Sequence, residues 1–498
     1  MKKLVLAFFM IAIGCNISNA QVADTIGAGN ALQFYGVSGN HYDLGDVYNT
    51  LTFPFTVEAW VNPVALPPLN GAIFATDNDS NAYYGFFVVQ NSSGQLAVSF
   101  GNGGGFGYQY RRGYATVSQI PLNSWTHVVV VCSSVTNVSM YFNGVLQSIA
   151  ADNGQSTDTS ITHSNAHASI GEQWPENVHN PFNGQIDEIR LWNIALTQSN
   201  VQSTMCTKIN PNTTGLLGYW RGDEADTSTV LYDYTSNGVN GVKVGTVDHV
   251  VSSAPLGNSS SYLYTSNWVG QSVQLTSSTG DNLAISNLTG SPYGVQVYAV
   301  NSTPVNTAGL SAAPASYFGV FVANSGASVT YTDTYGYSLS DGTVTGFNED
   351  SVNTGARQNA SAATWASLNE IADTTTHTMV YTGNTSLQQE FALSFAPYDT
   401  TTSKGDTTTI QYGDTIGAGN TLVFKGITGN HVDLGDVYNT LTFPFTVQAW
   451  VNPASLPVSY TGGIFASDND NSAYYGFTIA QVPSGSLSIS FGDGDFYD

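Results

Sequence analysis

Asp77-Asn78-Asp79 places two carboxylates at i, i+2 in a short polar stretch. A loop with that spacing can turn both acids toward one hard cation, and calcium takes oxygen ligands of this kind. The triplet recurs as Asp468-Asn469-Asp470, so Asp77, Asp79, Asp468 and Asp470 are candidate calcium ligands. The competing reading is a plain turn, because Asp and Asn side chains hydrogen-bond their own backbone. Aromatic side chains offer a second chemistry. Phe106, Tyr108, Tyr110 and Tyr114 surround Arg111-Arg112, within reach of the glycine-rich stretch 101–107, and Trp174 follows Glu172-Gln173. Rings on loops can stack on a sugar face while polar groups take its hydroxyls. Tyr108, Tyr110, Arg111 and Trp174 are therefore candidate ligand contacts. The alternative is that they are ordinary loop and core aromatics.

No catalytic constellation is legible. Glycoside hydrolysis needs two carboxylates about 5–10 Å apart. The nearest pair, Asp187-Glu188, lies in a strand-like run, where adjacent side chains point to opposite faces and cannot act together. The histidines are scattered, and Gly-x-Ser-x-Gly and His-Glu-x-x-His are both absent. His127 sits inside a strand motif and reads as a packed side chain. Beyond Cys15 the chain keeps Cys132 and Cys206. In an oxidising compartment they can form one disulfide, and two buried free thiols are the equal alternative.

These residues must be held by strands. Residues 21–63 recur at 411–453 with 34 of 43 positions identical, and the match resumes one residue out of step at Gly71 and Gly462. Between the copies Gln33, Tyr35 and Val37 change to Val423, Lys425 and Ile427 while Leu32, Phe34 and Gly36 persist, as in a strand with one constrained face. Glu58 becomes Gln448. The second copy stops at Asp498, so the sequence is expected to be a fragment of a longer protein, or else to carry a vestigial tail. Phe55 to Val61 alternates, Trp125 to Val131 is a nearly continuous apolar run, and Asn143-Gly144 marks a hairpin. A short helix is expected after Thr197, with Leu196 and Val201 as its hydrophobic staple. A second β-sandwich is expected over 256–398 as a spacer, and a Thr-rich linker over 399–412 leads to a partial copy over 413–498.

Lys2-Lys3, the apolar run Leu4 to Gly14 and Ser18-Asn19-Ala20 have the form of a signal peptide over 1–20. Soluble export, or a lipid anchor at Cys15, would place the protein outside the cell or on its surface. The chain of 498 residues is 42% hydrophobic, enough to form cores, but only 9% charged, with a formal charge of -24. That balance argues against nucleic acid, whose phosphates are met by basic patches, and against anionic membranes. No later stretch is long and apolar enough for a membrane helix.

Ala31 to Phe34, Tyr42 to Gly45, Phe55 to Pro63, Trp125 to Val128, Tyr141 to Gly144 and Asn183-Gly-Gln-Ile-Asp-Glu-Ile-Arg-Leu-Trp-Asn193 together resemble the laminin-G-like jelly-roll family of the concanavalin-A-like superfamily. Gly215 to Trp220 and Asp233 to Gly241 resemble the closing segment of bacterial versions. The resemblance spans 21–250 and again 413–498. It implies an all-β fold: an antiparallel β-sandwich jelly roll, then the second sandwich, then a truncated repeat. It also implies binding of glycans or surface polysaccharide, adhesion to extracellular proteins or substrate targeting, often with structural calcium. On that resemblance Asp187 is a candidate for a second calcium site near the Asn40-His41 turn. A non-catalytic adhesion module is the expected function. A targeting region of a polysaccharide-degrading enzyme and a ligand-free stalk are the alternatives.

Overall fold

The computed structural model describes residues 27–395, except 153, 155, 158–159, 174–178, 325, 340–351, 369 and 371, and beyond them residues 432, 446–447, 449, 451–453, 457, 462–467 and 476–492. Trp174, Asp468, Asp470, the segment 1–20 and the linker 399–412 lie outside the described residues.

The chain is almost wholly antiparallel β. In the first sandwich one sheet runs Val145–Leu146, Asn137–Phe142, Thr126–Ser134, Phe55–Pro63, Asn183–Trp192, Asn30–Tyr35 and Asp248–Val251, with Leu216–Trp220 also paired to Asn183–Trp192. We refer to it as the docking sheet. The facing rim sheet runs Ile149–Asp152, Arg111–Gln119, Gln95–Gly101, Phe86–Asn91, Asn70–Ala75, Ala168–Ile170, His41–Gly45, Gly241–Val244 and Val230–Leu231. Alternating residues such as Val57, Ala59, Val128, Val130, Phe86 and Val88 point between the sheets and fill one core. Phe55, Phe74, Phe86 and Trp220 stack through its centre, with centroids 4.4 to 5.9 Å apart. Each such ring contributes about 1.5–3 kcal/mol by burial. The expected helix forms over Gln198–Thr204. The Thr197 hydroxyl accepts from Asn200 N–H, the Asn200 side chain reaches back to the Thr197 N–H, and Val201 is buried.

Cys132 and Cys206 are free and buried, so of the two alternatives the pair of buried thiols holds and the bridge does not. Cys132 points into the core between the sheets with Val130 and Met140, whereas Cys206 packs with Met205 and Trp60 on the other side of the docking sheet. The sheet itself separates them.

The second sandwich pairs a six-stranded sheet, Ser259–Tyr264, Gly294–Val300, Tyr317–Ala323, Gln388–Phe395, Val352–Arg357 and Ala366–Ser367, with a four-stranded one, Ser272–Thr276, Asn282–Ser286, Tyr331–Gly336 and Thr378–Asn384. Its six-stranded sheet is apolar on both faces. Phe318, Val320 and Val322 enter its own core, while Tyr317, Phe321 and Ala323 join Ala31, Trp60, Trp125, Met205 and Leu256 of the jelly roll in a shared cluster. Trp60 meets Phe321 edge to face at 5.4 Å. Gln296 Nε2 donates to the Gln202 carbonyl at 2.8 Å and Gln388 Nε2 to the Ser253 carbonyl at 2.7 Å. The segment expected to be a spacer is thus docked through a buried apolar face.

Residues 406–498 form a separate unit. Gly462–Ala466, Phe477–Gln481 and Leu487–Phe491 make an antiparallel meander. They correspond in sequence to Asn70–Ala75, Phe86–Asn91 and Gln95–Gly101 of the first copy. Phe465 stacks on Phe477 at 5.7 Å, as Phe74 stacks on Phe86 at 5.9 Å.

Candidate functional site

The outer face of the rim sheet follows from alternation. Phe74, Phe86, Val88, Val98 and Phe100 face the core, so Ala75, Phe87, Val89, Ala97 and Ala115 face outward and form a cluster of their own. Tyr83 lies against that cluster, 6.0 Å from the Phe87 ring. Phe106 meets Tyr83 edge to face at 5.2 Å. The Arg111 guanidinium carbon sits 4.6 Å from the centroid of Tyr83 and 5.4 Å from that of Tyr108. Tyr108 is 58% exposed, so this end of the sheet carries an accessible ring beside a cation. Of the residues expected to contact ligand, Tyr108 and Arg111 come together here. Tyr110 does not join them. A side chain at Gly104 would come within 2.4 Å of its ring, so Tyr110 is covered by the glycine-rich loop and supports it.

Tyr83 also lines a small pit with Asp77, Asp79, Tyr84 and Gln173, the residue before Trp174. Asp77 is buried at φ 51°. Its Oδ1 accepts from the Ser164 N–H at 2.6 Å and its Oδ2 from His163 Nδ1 at 2.9 Å. Asp79 Oδ1 accepts from the Asn81 N–H at 2.7 Å. These carboxylates are engaged by protein donors, as in a turn, and as placed they do not fit a calcium ion. Among the described residues no group of three or more His, Cys, Asp or Glu side chains is arranged around a common point. Burial pulls the His163 pKa down, but its bonds to Asp77 and the Leu51 carbonyl and the Asp77 charge outweigh that and leave it raised.

Asp187 lies elsewhere, in a buried polar layer on the outer side of the docking sheet. Its Oδ2 accepts from the Ser252 hydroxyl at 2.6 Å, while His41 is turned to Glu172. The strand bulges here: Asp187 pairs with Trp60 and Arg190 with Glu58, one residue more than the partner strand supplies, and Glu188 takes φ 51°. Ile186 and Ile189 both face the core, so Asp187 and Glu188 both leave it on the same side. This overturns the expectation that they point apart. They are spent structurally: Arg190 binds Glu188 at 2.7 Å and Glu58 at 3.4 Å, and the Tyr219 hydroxyl donates to Glu188. Glu58 also accepts from Trp192 Nε1 at 3.0 Å. Burial raises the Glu58 carboxyl and holds His127 well below its usual range.

Sequence reading missed Glu172. Its carboxylate accepts from the Gly39 N–H, from His41 at 2.9 Å and from His179 at 2.7 Å, closing the hairpin of Glu172–Gln173 and Asn180–Pro181 against the rim sheet. Burial pushes the Glu172 pKa up, but these donors more than reverse it. Tyr83 was missed as well, although Ala82-Tyr83-Tyr84-Gly85-Phe86 is repeated unchanged at 473–477. A second crevice of about 370 Å³ lies between the sandwiches beside Tyr264 and Tyr293. Its amides Gln198 and Gln202 both donate to the Gly144 carbonyl.

The two packed antiparallel sheets form a β-sandwich of jelly-roll type. Residues 36–202 match the laminin-G-like sequence model of the concanavalin A-like lectin/glucanases superfamily, so the first sandwich is a jelly roll of that superfamily. No curated protein matches the chain. Among solved structures it is similar to a Bacteroides ovatus protein to which carbohydrate binding has been ascribed. Identity there is 20%, over 46% of this chain and 62% of that one, with TM-score 0.34. The heptameric pentraxin of Limulus polyphemus is 18% identical over 45% and 96%, with TM-score 0.29. Domain 4 of the extracellular arabinanase of Geobacillus stearothermophilus, solved with arabinotriose, is 24% identical over 34% and 74%, with TM-score 0.23. The chain thus spans about three fifths of the Bacteroides ovatus chain. No helix among the described residues is long and apolar enough to cross a membrane.

Proposed function

We propose that this chain is a secreted or cell-surface carbohydrate-binding adhesion protein, non-catalytic over the described residues. Its ligand meets the rim formed by Tyr83, Phe106, Tyr108 and Arg111. The observation that carries the reading is the exposed Tyr108 ring beside Arg111 and Tyr83, at the end of a sheet in a lectin-superfamily fold. Stacked rings supply a sugar-facing surface at low entropic cost, since each has only two side-chain torsions. The polar layer around Asp187, Glu188 and Glu58 is buried and takes no part in binding. The test is binding of the full chain to a broad glycan and polysaccharide array, with calcium and then with a chelator. The expected result is binding to a defined glycan set that Tyr108→Ala and Tyr83→Ala weaken about tenfold each, the usual order for a lost ring contact. Silence on the array under both conditions would refute it.

A further inference from the structure

The protein carries 35 acidic and 11 basic residues, and three of its buried cations are paired with acids. Arg190 meets Glu58 and Glu188, Lys208 meets Asp223, and Arg357 meets Glu390. Arg111 is different. Among the described residues it makes no ion pair and no side-chain hydrogen bond, and its contacts are the rings of Tyr83 and Tyr108. Its Nε is buried without a partner, while its terminal nitrogens are not buried. A guanidinium donates in its own plane, so rings against its flat surface leave the N–H fork free for a planar or tetrahedral anion.

We infer that Arg111 makes this rim selective for acidic saccharides, its fork taking a sugar carboxylate or sulfate while Tyr83, Phe106 and Tyr108 hold the neighbouring ring; this rests on the saccharide-binding reading above. In a chain of net charge -24 a diffuse attraction for polyanions is excluded. An anion is drawn in only where a cation is fixed and short of donors' partners. The two partly covering rings also exclude water from Arg111, which strengthens a charge-assisted bond relative to one in bulk solvent. Arg fits this role better than Lys because two parallel N–H bonds fix the orientation of the anion.

The experiment is titration of the full chain with oligogalacturonate, a sulfated galactan oligosaccharide and neutral xylo- and gluco-oligosaccharides of equal length, at low and high salt. The expected result is at least tenfold tighter binding of one or both acidic ligands than of the neutral ones, with the preference falling as salt rises. The uronate and sulfate arms separate the two anion types. Arg111→Gln brings the acidic and neutral ligands to equal affinity, and Arg111→Lys restores only part of the difference. Equal binding of acidic and neutral ligands, or a preference that Arg111→Gln leaves intact in a folded protein, overturns the inference while saccharide binding stands. If Arg111→Gln fails to fold, the acidic preference of the unaltered chain and its salt dependence still decide. No binding of any of the ligands overturns both readings.

Discussion

Replacing Phe321 by Ala tests whether the two sandwiches are one thermodynamic body. Phe321 sits on the outer face of Tyr317–Ala323, buried against Trp60, while its neighbours Val320 and Val322 face the second sandwich's own core. Its truncation therefore removes docking and spares internal packing. Losing a buried Phe costs about 3–5 kcal/mol once the cavity is counted, and the edge-to-face pair adds about 0.5–1.5 kcal/mol. With an unfolding entropy of about 2 cal/mol/K per residue, a cooperative unit covering both sandwiches loses about 5–9 °C for that change. The more telling readout is cooperativity. In calorimetry the unaltered chain is expected to unfold both sandwiches in one transition, and Phe321→Ala to split it or lower its van't Hoff ratio. Two separate transitions in the unaltered protein, or a shift under about 1 °C with no change of shape, would refute the docking argument. Gly319→Ala approaches the same interface from another side. A Cβ there would lie 2.0 Å from the Tyr298 ring, so the loss is expected to match or exceed that of Phe321→Ala.

Stability is expected to fall as pH rises from about 5 to 8. Burial raises the Glu224 carboxyl to about 7 and that of Asp333 to about 8, and His163 is also raised, so over this range the folded state holds protons that the unfolded chain has released. Glu172 has the opposite sign: its lowered pKa adds stability above the ordinary carboxylate range that is lost in acid. Urea melts across pH check this, and Glu224→Gln with Asp333→Asn should flatten the decline; a profile rising from pH 5 to 8 would contradict it. Cys132 and Cys206 should titrate as two thiols in urea without reductant, in a chain beginning at Gln21, and as none in the folded protein, because burial raises both thiols. Absence of thiol in urea would restore the bridge.

Much of the fold was legible because its signals are local. The strands around Phe55, Trp125 and Asn143-Gly144 follow from alternation, apolar runs and turn chemistry, and Thr197 follows from its cap. The docking of the second sandwich was not legible. Tyr317-Phe318-Gly319-Val320-Phe321-Val322 is apolar on both faces, and periodicity alone cannot say whether the second face meets its own domain or a neighbour. The disulfide failed for a related reason, since spacing along the chain does not reveal that a sheet lies between two cysteines. Glu172 depended on His41 and His179 arriving from distant strands. Trp174, Asp468 and Asp470 remain as sequence gives them.

The candidate site turns on one departure from period two. A strand without a bulge would send Asp187 to one face and Glu188 to the other, and that alternation was the reason for setting the pair aside. The bulge puts both on the docking side, where proximity alone would make a carboxylate pair worth considering for catalysis. What decides against that role is the company they keep. Glu188 is bound by Arg190 and Tyr219, Asp187 by Ser252, and all of these side chains are buried. No sugar ring can stand between acids that are each already bonded and shut off from solvent. The same layer explains why Glu58 matters in this copy: its buried carboxylate faces both Arg190 and the Trp192 Nε1–H, and removing the charge weakens both contacts. Glu58→Gln should therefore destabilise this jelly roll by about 3–5 kcal/mol, although Gln448 stands at the matching position of the repeat. A loss under about 1 kcal/mol in urea melts would mean that Glu188 alone satisfies Arg190.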